Sequence, residues 1–239
     1  MLFVEIDFAR FIQLYVIQGI ITVFFLYLSY KIIKRDSKRL NIIFASLYIA
    51  ESIGLIINMI YAVIDNEFTV LILNFMTNFS TAFGPIFLVV FNYILLKSEM
   101  SFNITKQLLI IFSYGICLFL VILFLPIGGI TINASTNWKP VWSLPTYIYV
   151  ISIITIFIVI PLLITSVRVY QQFDSVELKK RWKYFIVGAF GLLIYMIGAF
   201  TSNMLNIPLV RTFYSILGLS IVIFVSLMYY GVGKSLEKR

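Results

Sequence analysis

Apolar residues run along almost the whole chain, in long stretches that short polar segments separate. A transmembrane helix needs about 20 predominantly apolar residues to cross the hydrocarbon core of a bilayer. Stretches of this kind cover residues 9–33, 40–64, 68–96, 105–127, 144–170, 182–204 and 208–231. The pattern predicts an all-α integral membrane protein, a seven-transmembrane-helix bundle. Because the spans use most of the chain, we expect residues 1–239 to form a single membrane domain.

The cationic residues between the spans predict the orientation of the bundle, because Lys and Arg concentrate in cytoplasmic loops. With the N-terminus outside, 15 of the 18 Lys and Arg residues fall on the cytoplasmic side. Only Arg10, Lys139 and Arg211 fall outside. We therefore expect an N-terminus outside and a C-terminus in the cytoplasm, in a multi-pass protein of the plasma membrane. The formal charge of +8 reflects this topology, and nothing in it indicates nucleic acid as a partner.

The longest polar interruption, residues 127–145, reads IGGITINASTNWKPVWSLP. Gly128 and Gly129 end the fourth apolar run, and the stretches ITIN and WKPVW are β-prone and separated by turn residues. This pattern predicts a short β-hairpin lid at the outer end of the bundle.

Glu51 is the only carboxylate inside any of the long apolar runs, and it lies near the middle of the second. A charge at that depth costs roughly 2.5–3.5 kcal/mol on insertion scales, so such a group usually faces the bundle interior or a cavity. No basic residue lies at a similar depth, and we expect Glu51 to be largely protonated at neutral pH. We expect its hydrogen-bond partner among the hydroxyls at that depth, those of Thr22, Thr81, Tyr195 and Ser220. Three roles stay open: a structural carboxyl, a ligand contact, or a proton- or cation-linked switch.

Polar residues in the third span recur at steps of three and four, which places them on one helical face. This face contains Asn74, Thr77, Thr81 and Gly84, with Asn78 beside it. In lipid such a face should point inward, where it serves either as contact between helices or as the lining of a pocket open to the outside. Pro85 and Pro161 predict bends in the third and fifth spans.

Two further residues are candidates for ligand contacts. Tyr195 carries a hydroxyl near the middle of the sixth span, where it needs a partner. Arg211 begins the seventh span, and its guanidinium is suited either to an anionic group of a ligand or to lipid headgroups. Together with Glu51, Asn74, Asn78 and Thr81, these two residues form the predicted ligand-binding set.

The residue types that the chain lacks exclude several functions. The absence of histidine removes imidazole catalysis and a phosphoacceptor histidine. The sequence has no dense acidic cluster and no nucleotide-binding loop, so we expect no enzymatic activity and no metal site. Rhodopsins attach retinal to a lysine of the last helix, and the seventh span has no lysine at its centre, so we expect no retinal and no other cofactor. PQ-loop transporters share the topology, but the Pro-Gln pattern is missing.

Three segments resemble the seven-helix membrane sensor found at the N-terminus of many histidine kinases. They are FASLYIAE at 44–51, FGPIFLVVFNYILLK at 83–97 and RWKYFIVGAFG at 181–191. The resemblance implies that the spans and the outer loop detect a ligand or a state of the membrane, and that the seventh span passes the signal inward. In that family a kinase or cyclase domain usually follows, whereas this sequence stops at GVGKSLEKR. The output domain is then expected to be a separate polypeptide, or the module has been reused.

The leading hypothesis is therefore a non-enzymatic sensor or receptor-like protein, with a small ligand from outside and a separate cytoplasmic signalling protein as partners. Two alternatives stay open. One is a small proton-coupled transporter in which Glu51 is the coupling carboxylate. The other is an accessory subunit of a membrane complex.

Overall fold

Helices dominate the structure, a computed structural model that describes residues 8–236, without the side chains of residues 9, 98–100 and 233–236. Within these residues seven helices are long and apolar enough to cross a membrane. We label them α1 to α7: Ile12–Arg35, Arg39–Tyr61, Glu67–Lys97, Ile104–Phe124, Leu144–Gln172, Val176–Leu205 and Pro208–Val232. The prediction of an all-α, seven-helix membrane bundle is confirmed at this level. The sixth helix begins six residues earlier than predicted, so Trp182 lies inside it and is buried.

A β-hairpin lies between α4 and α5, as the turn residues predict. Strand β1, Ile130–Thr131, pairs antiparallel with β2, Val141–Trp142, and Ile130 lies opposite Trp142. Gly129 is required at the entry to β1, because a Cβ there would lie 2.5 Å from the hydroxyl of Thr146. We call the end of the bundle that carries this hairpin the hairpin end, and the other the opposite end.

Three of the seven helices are irregular near their middle, and two of these irregularities coincide with the predicted bends. Helix α3 is broken at Gly84 and Pro85, between the segments Glu67–Phe83 and Ile86–Ser101. In α5 a π-helical turn, Thr155–Val159, ends two residues before Pro161. Helix α7 is broken at Gly218 and Leu219, which the sequence pattern did not predict.

The core of the bundle is aromatic. Phe44 of α2 packs against Phe91 of α3 and Phe185 of α6, with ring centroids 5.2 and 6.4 Å away. The closest helix pair is α6 with α7, where Gly188 and Gly191 leave room for Phe224. Small residues allow such close approach between helices in lipid.

Large apolar side chains cover the outside of the helices. Val23, Phe112 and Ile194 are 62–68% exposed, each on a different helix. A soluble protein rarely exposes apolar patches larger than a few hundred Å². This exterior is suited to contact with the acyl chains of a bilayer, in agreement with the predicted lipid environment.

Candidate functional site

The predicted ligand-binding residues fall into two groups at different depths. Asn74, Asn78 and Arg211 belong to a polar network at the hairpin end. Glu51, Thr81 and Tyr195 lie deeper in the bundle, around the break in α3. The structure therefore divides into two sites what the sequence pattern treated as one pocket.

A chain of side-chain hydrogen bonds joins α2 and α3 at the hairpin end. The Nδ2 of Asn74 donates to the hydroxyl of Tyr61 over 2.8 Å. The Nδ2 of Asn78 donates to the backbone carbonyl and the Oδ1 of Asn74, both at 2.8 Å. Tyr61 also lies within electrostatic range of Arg10 and Arg211. The Tyr61 hydroxyl thus accepts from one amide and lies within electrostatic range of two guanidinium groups.

The two arginines hold the loop of the hairpin against the helix ends. Arg10 donates to the carbonyl oxygens of Asn137, at 3.2 Å, and Trp138, at 2.9 Å. Both of these residues have a left-handed backbone, with φ of 50° and 54°, which is an uncommon conformation for a bulky side chain. Arg211 donates to the carbonyl oxygen of Pro140 over 2.6 Å. Its guanidinium therefore contacts the loop backbone. The sequence had suggested only an anionic group of a ligand or lipid headgroups as its partner.

A small cavity lies directly under the hairpin. Its volume is about 10 Å³, near the space that one water molecule needs. Its lining consists of Phe75, Asn78, Phe79, Leu118, Val121, Ile130, Trp142, Val150 and Phe200. Aliphatic and aromatic groups form this wall, and neither the Asn78 amide nor the Trp142 indole nitrogen exposes polar surface to the cavity.

Trp142 closes the cavity from the hairpin side. Its ring stacks on Phe200 of α6, with centroids 4.9 Å apart, and the residue is only 3% exposed. Its indole nitrogen is buried and has no hydrogen-bond acceptor among the described residues. Buried donors are rarely left without a partner, because the lost hydration is not replaced. The nitrogen lies behind the apolar wall of the cavity, so an acceptor could reach it only if the hairpin moved.

Glu51 occupies the second site, at the break in α3. The residue is 8% exposed, and none of the described residues forms a hydrogen bond or an ion pair with its carboxyl group. A Cβ on Gly84 would lie 3.1 Å from its Oε1 and 3.3 Å from the carbonyl oxygen of Leu47. The carboxyl therefore packs against bare backbone, at a position that only glycine leaves open. In the described part of the chain, no three acidic or cysteine side chains come close enough to hold a metal ion.

The sequence predicted a partner of Glu51 among four hydroxyls, and none of the four forms a hydrogen bond with its carboxyl group. Thr22, Thr81 and Ser220 each donate to backbone carbonyls of their own helices. Tyr195 alone lies within electrostatic range of Glu51. A helical hydroxyl reaches the carbonyl one turn back more easily than a neighbouring helix, which explains the three misses.

Several residues of the two sites were not predicted. Trp142 was considered only as part of the β-prone stretch WKPVW, and Arg10 was counted only as a topological charge. Tyr114 of α4 donates to the carbonyl oxygen of Ala82 over 2.6 Å and lies within electrostatic range of Glu51. Tyr114 could have been predicted from its hydroxyl in the middle of a span, which is the feature that identified Tyr195.

We compared the chain with known proteins. No protein-family model, no curated protein and no solved structure matches it. The resemblance to the membrane sensors of histidine kinases therefore stays a prediction, carried by the three sequence segments alone.

Proposed function

We propose that the chain is a non-enzymatic, receptor-like membrane sensor that binds a small ligand beneath the hairpin. The observation that carries this proposal is the buried, unpartnered indole nitrogen of Trp142, a residue whose ring lines the apolar cavity beneath the hairpin. The wall fits a ligand with an apolar body and one hydrogen-bond acceptor. Ligand pockets typically combine an apolar lining with a few convergent polar groups of this kind.

Entry of such a ligand requires displacement of the hairpin, because the closed cavity holds no more than about one water molecule. The hairpin then acts as the lid that the sequence predicts. The hydrogen bonds from Arg10 and Arg211 to the loop hold the lid closed. An acidic group on the ligand competes for the same guanidinium groups and favours the open lid.

The route from the lid to the rest of the molecule runs through α6. Trp142 stacks on Phe200, and the hydroxyls of Tyr147 and Thr201 are hydrogen-bonded at 2.9 Å. Both contacts tie the lid and α5 to the same turn of α6. Because α6 packs tightly on α7, a shift of this turn is passed along both helices toward the opposite end.

We place the hairpin end outside the plasma membrane and the opposite end in the cytoplasm, from the distribution of the cationic residues. Lys179 and Lys183 both lie over the ring of Tyr170 at the opposite end, 5.9 and 5.7 Å from its centroid. Both lysines belong to the first turns of α6, and they give this helix a basic surface at the opposite end. This surface is where a separate cytoplasmic signalling protein would bind.

Co-purification tests the proposal. The wild-type protein and a Trp142→Phe variant are purified in mild detergent, and bound proteins and small molecules are identified by mass spectrometry. We expect a small amphiphile and a cytoplasmic protein on the wild type, and loss of the amphiphile from the variant. Trp182→Phe is the matched control, since this indole donates to the carbonyl of Ser166 and lies outside the cavity. Equal retention of the small molecule by all three proteins would contradict the assigned site.

A small proton-coupled transporter is the second candidate function. It is favoured by one observation, the buried Glu51 beside a broken helix, since transporters place ion sites at such breaks. Flux measured in liposomes separates the two functions. Solute uptake that requires a proton gradient and is lost in Glu51→Gln would replace the sensor proposal with this one.

A further inference from the structure

The surroundings of the Glu51 carboxyl are rich in hydrogen-bond acceptors. Its Oε1 faces the backbone at Gly84, and the carbonyl oxygen of Leu47 borders the same space. Pro85 has no N–H, so the carbonyl of Thr81 lacks its usual helical donor. Beyond the break, the amides of Phe87 and Leu88 donate to the carbonyls of Gly84 and Pro85. A carboxylate finds few donors here, whereas a protonated carboxyl finds acceptors for its own proton.

Two tyrosines of neighbouring helices, Tyr114 and Tyr195, lie within electrostatic range of Glu51. Tyr48 lies one turn earlier on α2, and its buried hydroxyl has no partner among the described residues. The hydroxyl of Tyr114 on α4 already donates a hydrogen bond to the carbonyl of Ala82. The hydroxyl of Tyr195 on α6 forms no hydrogen bond with any described residue. Within the described part of the chain, no Lys or Arg forms an ion pair with Glu51.

Tyr195 connects Glu51 to the second helix break. Its hydroxyl lies 3.3 Å from the position that a Cβ on Gly218 would occupy, at the break in α7. Its ring also packs edge-on against Tyr214, with centroids 6.5 Å apart. A movement of the Tyr195 hydroxyl toward Glu51 therefore removes a contact from the break in α7.

We propose that Glu51 is a proton-binding site whose occupancy couples the break in α3 to the break in α7. In the occupied state the carboxyl O–H donates to a backbone carbonyl at the break in α3. On release the O–H bond breaks, the electron pair stays on the carboxylate, and water accepts the proton. The carboxylate then attracts the Tyr195 hydroxyl as its donor, and α7 loses the support of that side chain. The coupling is independent of the proposed ligand, and it holds for a sensor and for a carrier alike.

Infrared spectroscopy tests the bound proton directly. The full-length protein is reconstituted in phosphatidylcholine vesicles at neutral pH, and the C=O stretching band of a protonated carboxyl is recorded. We expect this band in the wild type, its loss in Glu51→Gln, and its persistence in Glu67→Gln, which changes an exposed carboxyl. Absence of the band from the wild type, or its survival in Glu51→Gln, overturns the proposal.

Hydrogen–deuterium exchange tests the coupling, after correction for the intrinsic effect of pH on exchange. Raised pH should remove the infrared band of the wild type. As the band is lost, we expect the protection of residues 84–88 and 216–221 against hydrogen exchange to fall together. Glu51→Gln should show constant protection, and Glu51→Asp should restore the response. Tyr195→Phe should keep the band and the response at 84–88 but lose the response at 216–221. The coupling is refuted if exchange changes at neither break. It is also refuted if Tyr195→Phe shows the same response at 216–221 as the wild type. Neither the infrared nor the exchange measurement requires a ligand or partner.

Discussion

The hydroxyl of Tyr114 donates a 2.6 Å hydrogen bond to the carbonyl oxygen of Ala82 and so ties α4 to the break in α3. The bond is buried and joins residues far apart in sequence. The break exists because Pro85 interrupts the helical hydrogen bonds, which leaves carbonyl oxygens that lipid cannot satisfy. One side chain from a neighbouring helix supplies the missing donor.

Tyr114→Phe should destabilise the protein, because it removes this donor and keeps the ring. Hydrogen bonds between membrane helices average about 0.6 kcal/mol, and a buried acceptor left alone costs about 1–3 kcal/mol. We expect a loss of about 1–2 kcal/mol in the free energy of unfolding, measured by denaturation in mixed micelles. Tyr30→Phe is the control, since this exposed ring contacts Lys34 through its face, which phenylalanine retains. Equal stability of the two variants would show that the Ala82 carbonyl finds another donor.

Gly188→Ala should separate α6 from α7. The added Cβ would overlap the backbone carbonyl of Phe224 and lie 2.8 Å from the amide nitrogen of Met228, and backbone cannot move aside locally. Overpacking typically costs about 1–3 kcal/mol, and we expect a loss in that range by the same denaturation assay.

Gly19→Ala is the matched control for Gly188→Ala, because nothing lies within 4 Å of the Cβ that it adds. Alanine has the higher helix propensity by about 1 kcal/mol, so this variant should be neutral or slightly more stable. Gly191→Ala tests the mechanism further, since the three atoms nearest to its Cβ all belong to the ring of Phe224. Combining Gly191→Ala with Phe224→Ala should relieve that clash. Combining Gly188→Ala with Phe224→Ala should leave the loss of free energy of unfolding unchanged, because the clash at Gly188 is with backbone.

Arg10→Gln should loosen the hairpin. The change removes the donors that hold the carbonyls of Asn137 and Trp138, the two loop residues with a left-handed backbone. Strain of this kind costs about 1–3 kcal/mol per residue and persists only where surrounding contacts enforce it. Hydrogen–deuterium exchange should be faster at residues 137–142 and unchanged at the opposite end. Arg168→Gln, an exposed charge at that opposite end, is the control. Slow exchange at the loop in Arg10→Gln would show that other contacts fix the hairpin.

Cysteine labelling tests the orientation. In a Cys117→Ala background, Ser135→Cys places a thiol on the exposed hairpin loop and Ser175→Cys places one between α5 and α6. The loop segments that the sequence assigns to the side of residue 175 carry 15 of the 18 cationic residues. We therefore expect a membrane-impermeant maleimide to reach only residue 135 in intact cells. Residue 175 should react after permeabilisation. Reaction of both positions from the same side would contradict a membrane crossing by α5, and reaction of residue 175 alone would invert the orientation.

The sequence by itself determined the seven helices, the hairpin and the bends before Pro85 and near Pro161. Each of these depends on local chemistry: apolar length for a span, turn residues for a hairpin, a missing N–H for a bend. It also selected Glu51 as the costly group, because a carboxyl near the middle of an apolar run is expensive whichever way its helix is turned. The inward face of α3 followed from the helical repeat, and Asn74 and Thr77 are indeed buried.

Only the tertiary structure decided which side chains meet. A helix turns about 100° per residue, so the rotation of each helix, which packing sets, determines the partners of its side chains. For that reason the sequence could not show that Trp142 stacks on Phe200, or that Arg10 and Arg211 hold one loop. It also could not show that Glu51 lies against the bare backbone of Gly84, between tyrosines of other helices. Hydropathy records how deep a residue lies, whereas contact depends on the direction in which it points.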